Sequence, residues 1–426
     1  MASSLKVALV IDWLDQIGGA EQVLLTLHEM FPKAPIYTSV YRPKKLGGFL
    51  SDADIRTGWL NRLPNGLRRF IGPLRQRWFS HLDLSDYDLV ISVTGAEGKA
   101  VCTKCDGEAS HYCFHLCYCH VPTQYYWQLY DDYLKEPGFG ILNPLARLGL
   151  KLFVKPMRKK DFASAQQPDK IVTISNYSAE QIRKYYKREA EIINPPVDLK
   201  KFSTNMQTFS TSREIKSAKS QIEENNKIEK SQIQSNQNKT IKSDKSQTPP
   251  LVEVKNTTPG GFITTSRQVV WKRLDLCIKA CLETGEHLTL IGDGPEHDSL
   301  VKLAKNSDLI TFLPRMSQEE LSIYLHQAKG YLFPSREPFG LAPVEALATG
   351  CPVIAFGDGG ALDYVEPGKN GILFEKQTVK SLTDAIRKFN QLHFSTDYIK
   401  SSATRFDKTV FTSKIQKAIE KGLNGA

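Results

Sequence analysis

The stretch SREPFGLAPVEALATG, Ser335 to Gly350, holds two carboxylates, Glu337 and Glu345, with seven residues between them. The strand pattern GYLF ends just ahead of Ser335, so Glu337 is expected on the loop at a strand's carboxyl end. Pro343 suits the first turn of a helix, where a missing N–H is no loss. Gly350 suits the helix C-cap, and Pro352 prevents continuation. Glu345 is therefore expected in the first helical turn, with Glu337 just before it. The free N–H groups of that helix start, from about Phe339 to Ala342, attract an anion. A phosphate there would have a carboxylate on each side, and carboxylates accept hydrogen bonds from sugar hydroxyls. A nucleotide sugar has this layout, with a ribose on one side of its diphosphate and a hexose on the other. Spacing alone also allows a plainer arrangement, in which Glu345 caps its own helix and Glu337 is an ordinary loop charge.

Other chemistry-bearing residues fall in similar places. Arg267 and Lys272, in SRQVVWKRLD, follow the strand pattern GFITTS. Cations there would offset charge developing on a leaving phosphate, although most loop cations are surface charges. Arg273 is adjacent, expected to point elsewhere, and read as structural. Gly18 and Gly19 open a helix after the strand pattern KVALVI, and their bare backbone lets a ligand approach; a tight turn would use the same residues. His120 follows the strand pattern HLCYC. His111 and His115 precede it and are read as structural.

These residues need a frame to bring them together. The 426 residues suffice for two domains. Strand patterns at KVALVI, PIYTSVY, DLVISV, HLCYCH and KIVTIS alternate with helical stretches, which predicts an α/β domain with a parallel sheet. A second series runs through GFITTS, HLTLIGDG, LITFLP, KGYLFPS and PVIAFGDGG. The junction is expected near IINPPVDLKKF. In open α/β sheets, ligands bind beyond the carboxyl ends of the strands, and the candidate residues sit there. Residues 205–259 are rich in Lys, Ser, Gln and Asn and are read as a disordered polar insert.

The net charge of +10 suits an anionic partner, without choosing among phosphorylated small molecules, acidic membranes and nucleic acid. No recognised nucleic-acid motif is present, so nucleic acid is not expected. No apolar run reaches the roughly 18 to 20 residues of a transmembrane helix. LKVALVI is short for a signal peptide, and Asp12 follows it. A cytoplasmic chain is expected, with room for a peripheral seat on the inner face of a membrane. Five cysteines cluster at Cys102, Cys105, Cys113, Cys117 and Cys119. Their spacing fits no common closed zinc site, and Cys117 and Cys119 read as strand core.

EPFGLAPVEALATGCPVIA resembles the E-x7-E signature of the retaining glycosyltransferases of family 4, which have the GT-B fold. DWLDQIGGAEQVL, CYCHVPTQYYW, INPPVD, SRQVVWKRLD, IGDGPE, GGALDYV and KNGILF follow that family's order over nearly the whole chain apart from the insert. The resemblance is nearest to bacterial mannosyltransferases of surface-polysaccharide assembly. It implies two Rossmann-like domains facing across a cleft. Residues 1–195 form the acceptor side and 260–400 bind the nucleotide sugar, with a helix over 401–426 packing back on the first domain. It implies that Glu345 binds the donor ribose and Glu337 the donor sugar near the reacting carbon. The N–H groups of Phe339, Gly340 and Leu341 would hold the diphosphate. Arg267 and Lys272 would clamp it, Gly18 and Gly19 would approach it, and His120 would face the sugar. No metal or other cofactor is expected, since such enzymes stabilise the diphosphate with side chains and helix N-termini. The DxD-like strings at Asp52 and Asp86 lie away from the motifs. Val121, Asn194 and Asp363 depart from the family pattern and leave the donor less defined than the reaction class.

The expected partners are a nucleotide sugar, GDP-mannose first, and a glycan or lipid-linked acceptor. A UDP-sugar donor, a non-catalytic partner subunit and a zinc-stabilised interaction protein are the competing readings. The stretch from Arg56 to Trp78 carries six arginines interleaved with Trp59, Leu63, Leu67, Phe70, Leu74 and Trp78. With KPMRKKDF from Lys155, it is read as a basic face that could rest on anionic lipid.

Overall fold

The structure is a computed structural model and describes residues 5–63, 72–103, 112–135, 143–202 and 260–425. The insert expected over 205–259 and Cys105 lie outside the described residues. The first domain holds strands β1 (Val7–Ile11), β2 (Ile36–Thr38), β3 (Ile55–Thr57), β4 (Leu89–Thr94), β5 (Phe114–Cys119), β6 (Lys170–Thr173) and β7 (Glu191–Ile192). They form one parallel sheet in the order β3-β2-β1-β4-β5-β6-β7. The second domain holds β8 (Phe262–Thr265), β9 (Leu288–Ile291), β10 (Ile310–Leu313), β11 (Gly330–Phe333), β12 (Val353–Phe356) and β13 (Gly371–Phe374). Their order is β10-β9-β8-β11-β12-β13, again parallel.

The central strands β1, β4, β5 and β11 are buried from end to end. That is why their sequences are mostly apolar and do not alternate, with Ser92, Thr94 and His115 the buried polar exceptions in β4 and β5, since helices cover both faces of a parallel sheet. Cys117 and Cys119 lie in β5, packed with Ala165, Ile171, Ile182 and Tyr186 as part of the core. Each sheet reverses its winding once, between β1 and β4 in the first and between β8 and β11 in the second. These switch points leave crevices at the carboxyl ends of the strands.

The chain crosses between domains twice. The first crossing follows β7. The turn Leu199–Phe202 carries Lys201, whose Nζ donates to Gln318 Oε1 at 3.1 Å in the second domain. The second crossing falls at Thr404–Asp407, a few residues past 400, because the helix Thr396–Ala403 still packs on the helix Leu341–Thr349. Val197 and Lys408 tie the two crossings together through backbone bonds of 2.9 and 3.0 Å. The last helix, Lys408–Asn424, lies against β5 and the helix Gly19–Met30 of the first domain. Gly422 is required there, because a Cβ would sit 2.0 Å from the Phe114 ring.

A buried charge network stiffens the first domain. Lys99 Nζ donates to Asp161 at 2.6 Å, with both side chains almost fully buried. Asp161 also accepts from Thr123 (2.8 Å), Trp127 (2.6 Å) and Tyr186 (2.9 Å). Removing one partner of such a pair strands the other charge. Asp161→Ala is expected to destabilise the protein by about 3–5 kcal/mol, read from the urea midpoint. Adding Lys99→Met should recover most of that loss.

Candidate functional site

Glu337 lies on the loop after β11, beside Lys272 on the turn Val270–Lys272 that follows β8. Because β8 and β11 are neighbours at the switch point, the two loops meet. Lys272 Nζ donates to Glu337 Oε1, and Ser335 Oγ donates to the same oxygen at 2.7 Å. Each side chain of the ion pair keeps 20% exposure, so the pair faces an opening. Arg273 has φ 53° and turns away to Asp275 at 3.2 Å, as read from the sequence.

The loop's path is fixed by glycines. A Cβ on Gly360 would lie 2.3 Å from Phe339 Cα, and one on Gly359 would lie 2.4 Å from the Glu337 carbonyl. Gly360 N donates to that carbonyl at 2.8 Å. Gly340 has φ 91°, and a side chain there would also strike Phe333. It is the N-cap of the helix Leu341–Thr349.

That helix starts two residues before Pro343, which makes Pro343 its third residue and Glu345 its fifth. Glu345 thus begins the second turn and not the first, a correction to the sequence reading. A left-handed glycine sets the start; the proline does not. Glu345 Oε1 accepts from Gln318 at 3.3 Å rather than capping its own helix. Burial pushes its carboxyl up to about 7, against a smaller lowering by Gln318 and Lys201. The first N–H groups of the helix, at Leu341 and Ala342, have no intrahelical acceptor.

The first domain supplies the opposite wall. Asp12, just past β1, accepts from Thr94 Oγ1 (2.8 Å), Gly95 N (2.9 Å) and Gly98 N (2.6 Å), which joins the loops after β1 and β4. Gly18 N donates to Glu21 at 2.8 Å, and burial raises the Glu21 carboxyl to about 7. A Cβ on Gly19 would lie 3.3 Å from Leu341 Cδ1, so the glycine loop abuts the helix start of the other domain. Four polar contacts bridge the domains here. Arg267 donates to Gln16 at 3.4 Å and Arg315 to the Ile17 carbonyl at 3.3 Å. Ser175 donates to the Pro338 carbonyl at 2.5 Å, and Asn176 N to Asp363 at 2.9 Å. The departure at Asp363 is thus a domain strap.

His120 lies just past β5, its backbone N–H on the Thr94 carbonyl at 2.9 Å. Burial pushes its imidazole down to about 4, so it is neutral at physiological pH. Its Nε2 has no partner among the described residues.

The structure therefore brings Lys272, Glu337, Phe339, Gly340 and Leu341 together, with Gly19 against them and Arg267 bound across to Gln16. Glu345 stands one turn further along, and His120 stands on the first domain's side. Sequence reasoning missed Ser335, Ser175, Gln16 and Gln318. Single polar residues carry no periodicity, and only their partners reveal them. The glycine pair in GDGG was visible, but its role as a mould for the Glu337 loop was not.

Residues 251–405 match the family of Glycosyl transferases group 1. That match lies in the second domain and covers less than half of the chain. The chain is 34% identical over 128 residues to the alpha-1,3/1,6-mannosyltransferase ALG2 of Homo sapiens, covering 28% of each chain. It is 32% identical over 113 residues to the GDP-mannose-dependent alpha-(1-6)-phosphatidylinositol monomannoside mannosyltransferase of Mycobacterium tuberculosis, covering 24% of this chain and 29% of that one. The match thus spans under a third of these relatives' length. Among solved structures, Anabaena HepE in complex with UDP superposes with a TM-score of 0.63 at 16% identity, over 98% of this chain and 100% of that one. Sucrose-phosphate synthase from Thermosynechococcus elongatus gives 0.61 at 15%, over 99% and 100%. At that identity the likeness is one of fold: two α/β domains in the GT-B arrangement. The matched residues include Arg267, Lys272, Glu337 and Glu345.

The raised Glu345 carboxyl has a stability consequence. Between 4.5 and about 7 the folded state keeps a proton that the unfolded state has lost, so stability falls as pH rises through that window. Glu345→Gln removes this loss. The variant should be more stable than wild type above pH 7 by about 1–3 kcal/mol, with the difference closing near pH 4.5. Urea midpoints of both proteins at the two ends of the window check it.

Proposed function

We propose that the protein is a retaining glycosyltransferase that moves a sugar from a nucleotide-sugar donor, GDP-mannose, to a glycan or lipid-linked acceptor in cell-surface polysaccharide or glycolipid synthesis. It works in the cytoplasm, at the inner face of a membrane. The observation that carries this reading is the Lys272–Glu337 pair at a helix N-terminus, closed over by the glycine loop of the other domain. The mannosyltransferase names of the two relatives support mannose. The UDP bound in the HepE structure keeps a UDP-sugar donor as the second reading.

The chain's own groups supply the chemistry as follows. The N–H groups of Phe339, Gly340 and Leu341, the Lys272 ammonium and the Arg267 guanidinium hold the diphosphate. They stabilise it as the bond from the anomeric carbon to phosphate oxygen breaks. Glu337 accepts from donor-sugar hydroxyls once Lys272 turns to the phosphate, and Glu345 accepts from the ribose. Gly18 and Gly19 leave room for the diphosphate. Neutral His120 offers its unpartnered Nε2 to the sugar as a hydrogen-bonding group rather than as a cation. The acceptor oxygen bonds to the anomeric carbon on the face from which the diphosphate leaves and passes its proton to the departing phosphate oxygen, so configuration is retained.

No metal is needed in this reading. The DxD-like strings support that, since Asp54 and Asp88 precede β3 and β4 at the amino ends of the strands, on the far edge from the cleft. Asp54 is engaged with Arg56 at 2.8 Å, and Asp88 with Lys6 N at 2.6 Å. A non-catalytic partner subunit would have no use for Glu337, Glu345, Arg267 and Lys272 gathered at one cleft.

Calorimetry with a panel of GDP- and UDP-sugars tests the proposal. One GDP-sugar is expected to bind, and Glu345→Ala should weaken it by about 100-fold, as for a lost hydrogen bond to a charged group. Lys272→Ala should lower kcat by about 100- to 1,000-fold. Binding of a UDP-sugar alone would replace the donor and keep the chemistry. Binding of no nucleotide sugar would remove the transferase reading.

A further inference from the structure

The helix Asn143–Ser164 turns apolar side chains toward solvent. Its inward face is Val154, Met157, Asp161 and Ser164, all buried. On the outward face Leu145 is 66% exposed, Leu148 54%, Leu152 64% and Phe153 58%. Leu145, Leu148 and Leu152 are spaced three and four apart, so they form one stripe along the helix. A contiguous exposed apolar stripe of this kind marks a contact surface. The exposed lysines Lys151, Lys155, Lys159 and Lys160 lie beside it and at its C-terminal end. The only acid in the helix is Asp161, and it is buried on Lys99. The outward face is therefore apolar and purely cationic, which complements an anionic lipid surface. At 22 residues the helix is roughly 33 Å long at ~1.5 Å per residue. No helix among the described residues is long and apolar enough to cross a membrane.

The basic stretch Arg56–Trp78 is a weaker candidate than its sequence suggested. Arg75 is buried, with its Nε on Glu97 at 2.9 Å and its guanidinium over the Trp13 ring, so it is not a surface charge. Arg56 is paired with Asp54. Trp59 and Leu74 remain exposed, and residues 64–71 lie outside the described residues.

The helix is also fastened to the candidate site. Arg158 Nε donates to the Tyr126 carbonyl at 2.6 Å, and its guanidinium stacks over Trp127 and Tyr130 at 5.2 and 4.9 Å. Asp161 holds Thr123 and Trp127. Residues 121–130 are the segment that follows His120. A surface bound to this helix is therefore held at a fixed place relative to the His120 wall.

We propose that the Asn143–Ser164 helix lies in the surface of an anionic phospholipid bilayer, with Leu145, Leu148, Leu152 and Phe153 among the acyl chains. Lys151, Lys155, Lys159 and Lys160 sit on the lipid phosphates. That this presents a lipid-linked acceptor to the His120 side of the cleft rests on the transferase reading; the lipid contact itself does not.

Flotation of the full chain with phosphatidylcholine vesicles, with and without phosphatidylglycerol, tests it. The wild type should float with the phosphatidylglycerol vesicles and lose binding in high salt. The triple variant Lys151→Gln, Lys155→Gln, Lys159→Gln should bind about 100-fold more weakly. The double variant Leu148→Gln, Leu152→Gln should bind at least about tenfold more weakly. Both should keep the wild-type melting temperature, because the changed side chains are exposed. Equal binding to both vesicle types, or wild-type binding by either variant, overturns the proposal. So does a wild-type dimer in gel filtration that the leucine variant splits, since a second copy would then cover the stripe. Nucleotide-sugar binding measured without lipid separates the two readings. A chain that floats but binds no nucleotide sugar defeats the transferase reading alone, and one that binds the sugar but does not float defeats the lipid contact alone.

Discussion

The gap between β8 and β11 governs the site. Helical connections leave these neighbouring strands toward opposite faces of the sheet, so the two loops at their carboxyl ends have nothing between them. Lys272 comes from one loop and Glu337 from the other, and they meet as an ion pair. The pair would be an ordinary loop contact anywhere else. Here it stands ahead of a helix whose first N–H groups are unsatisfied, and Gly359 and Gly360 press the Glu337 loop into place from behind. The cation, the carboxylate and the helix end are therefore preorganised together.

The second domain cannot enclose a ligand alone, and the first completes the cleft. Its own switch point puts the Asp12 anchor and the glycine loop at the carboxyl end of β1. Gly19 then touches Leu341, Gln16 meets Arg267, and Ser175 reaches the Pro338 carbonyl beside Glu337. The two crossings, tied by Val197 and Lys408, lie at the base of this arrangement. The last helix returns to β5, so the first domain is built from both ends of the described chain.

The sequence carried the frame clearly where physics is repetitive. Buried parallel strands are predominantly apolar and do not alternate, and β1, β4, β5, β8, β11 and β12 were legible for that reason. β3 and β7 span three and two residues and carry no period to read. Glu337 at a strand's carboxyl end was legible from order alone. The helix start was not, because Pro343 is the obvious signal and Gly340 the effective one. Contacts between residues far apart in the chain, such as Gln16 with Arg267, have no local signature. Arg75 read as surface charge because Glu97, its buried partner, stands 22 residues away. The outward leucines of Asn143–Ser164 were hidden differently: an apolar stripe at helical spacing reads as core, and only burial reveals which way it faces.

The central claim is that the Lys272–Glu337 pair and the start of the helix Leu341–Thr349 form the seat of a nucleotide sugar's diphosphate. A crystal structure of the full chain soaked with GDP tests it most directly. The diphosphate is expected on the N–H groups of Gly340 and Leu341, within reach of Lys272 and Arg267, with the ribose hydroxyls on Glu345. GDP bound elsewhere, or a ribose turned away from Glu345, would contradict it.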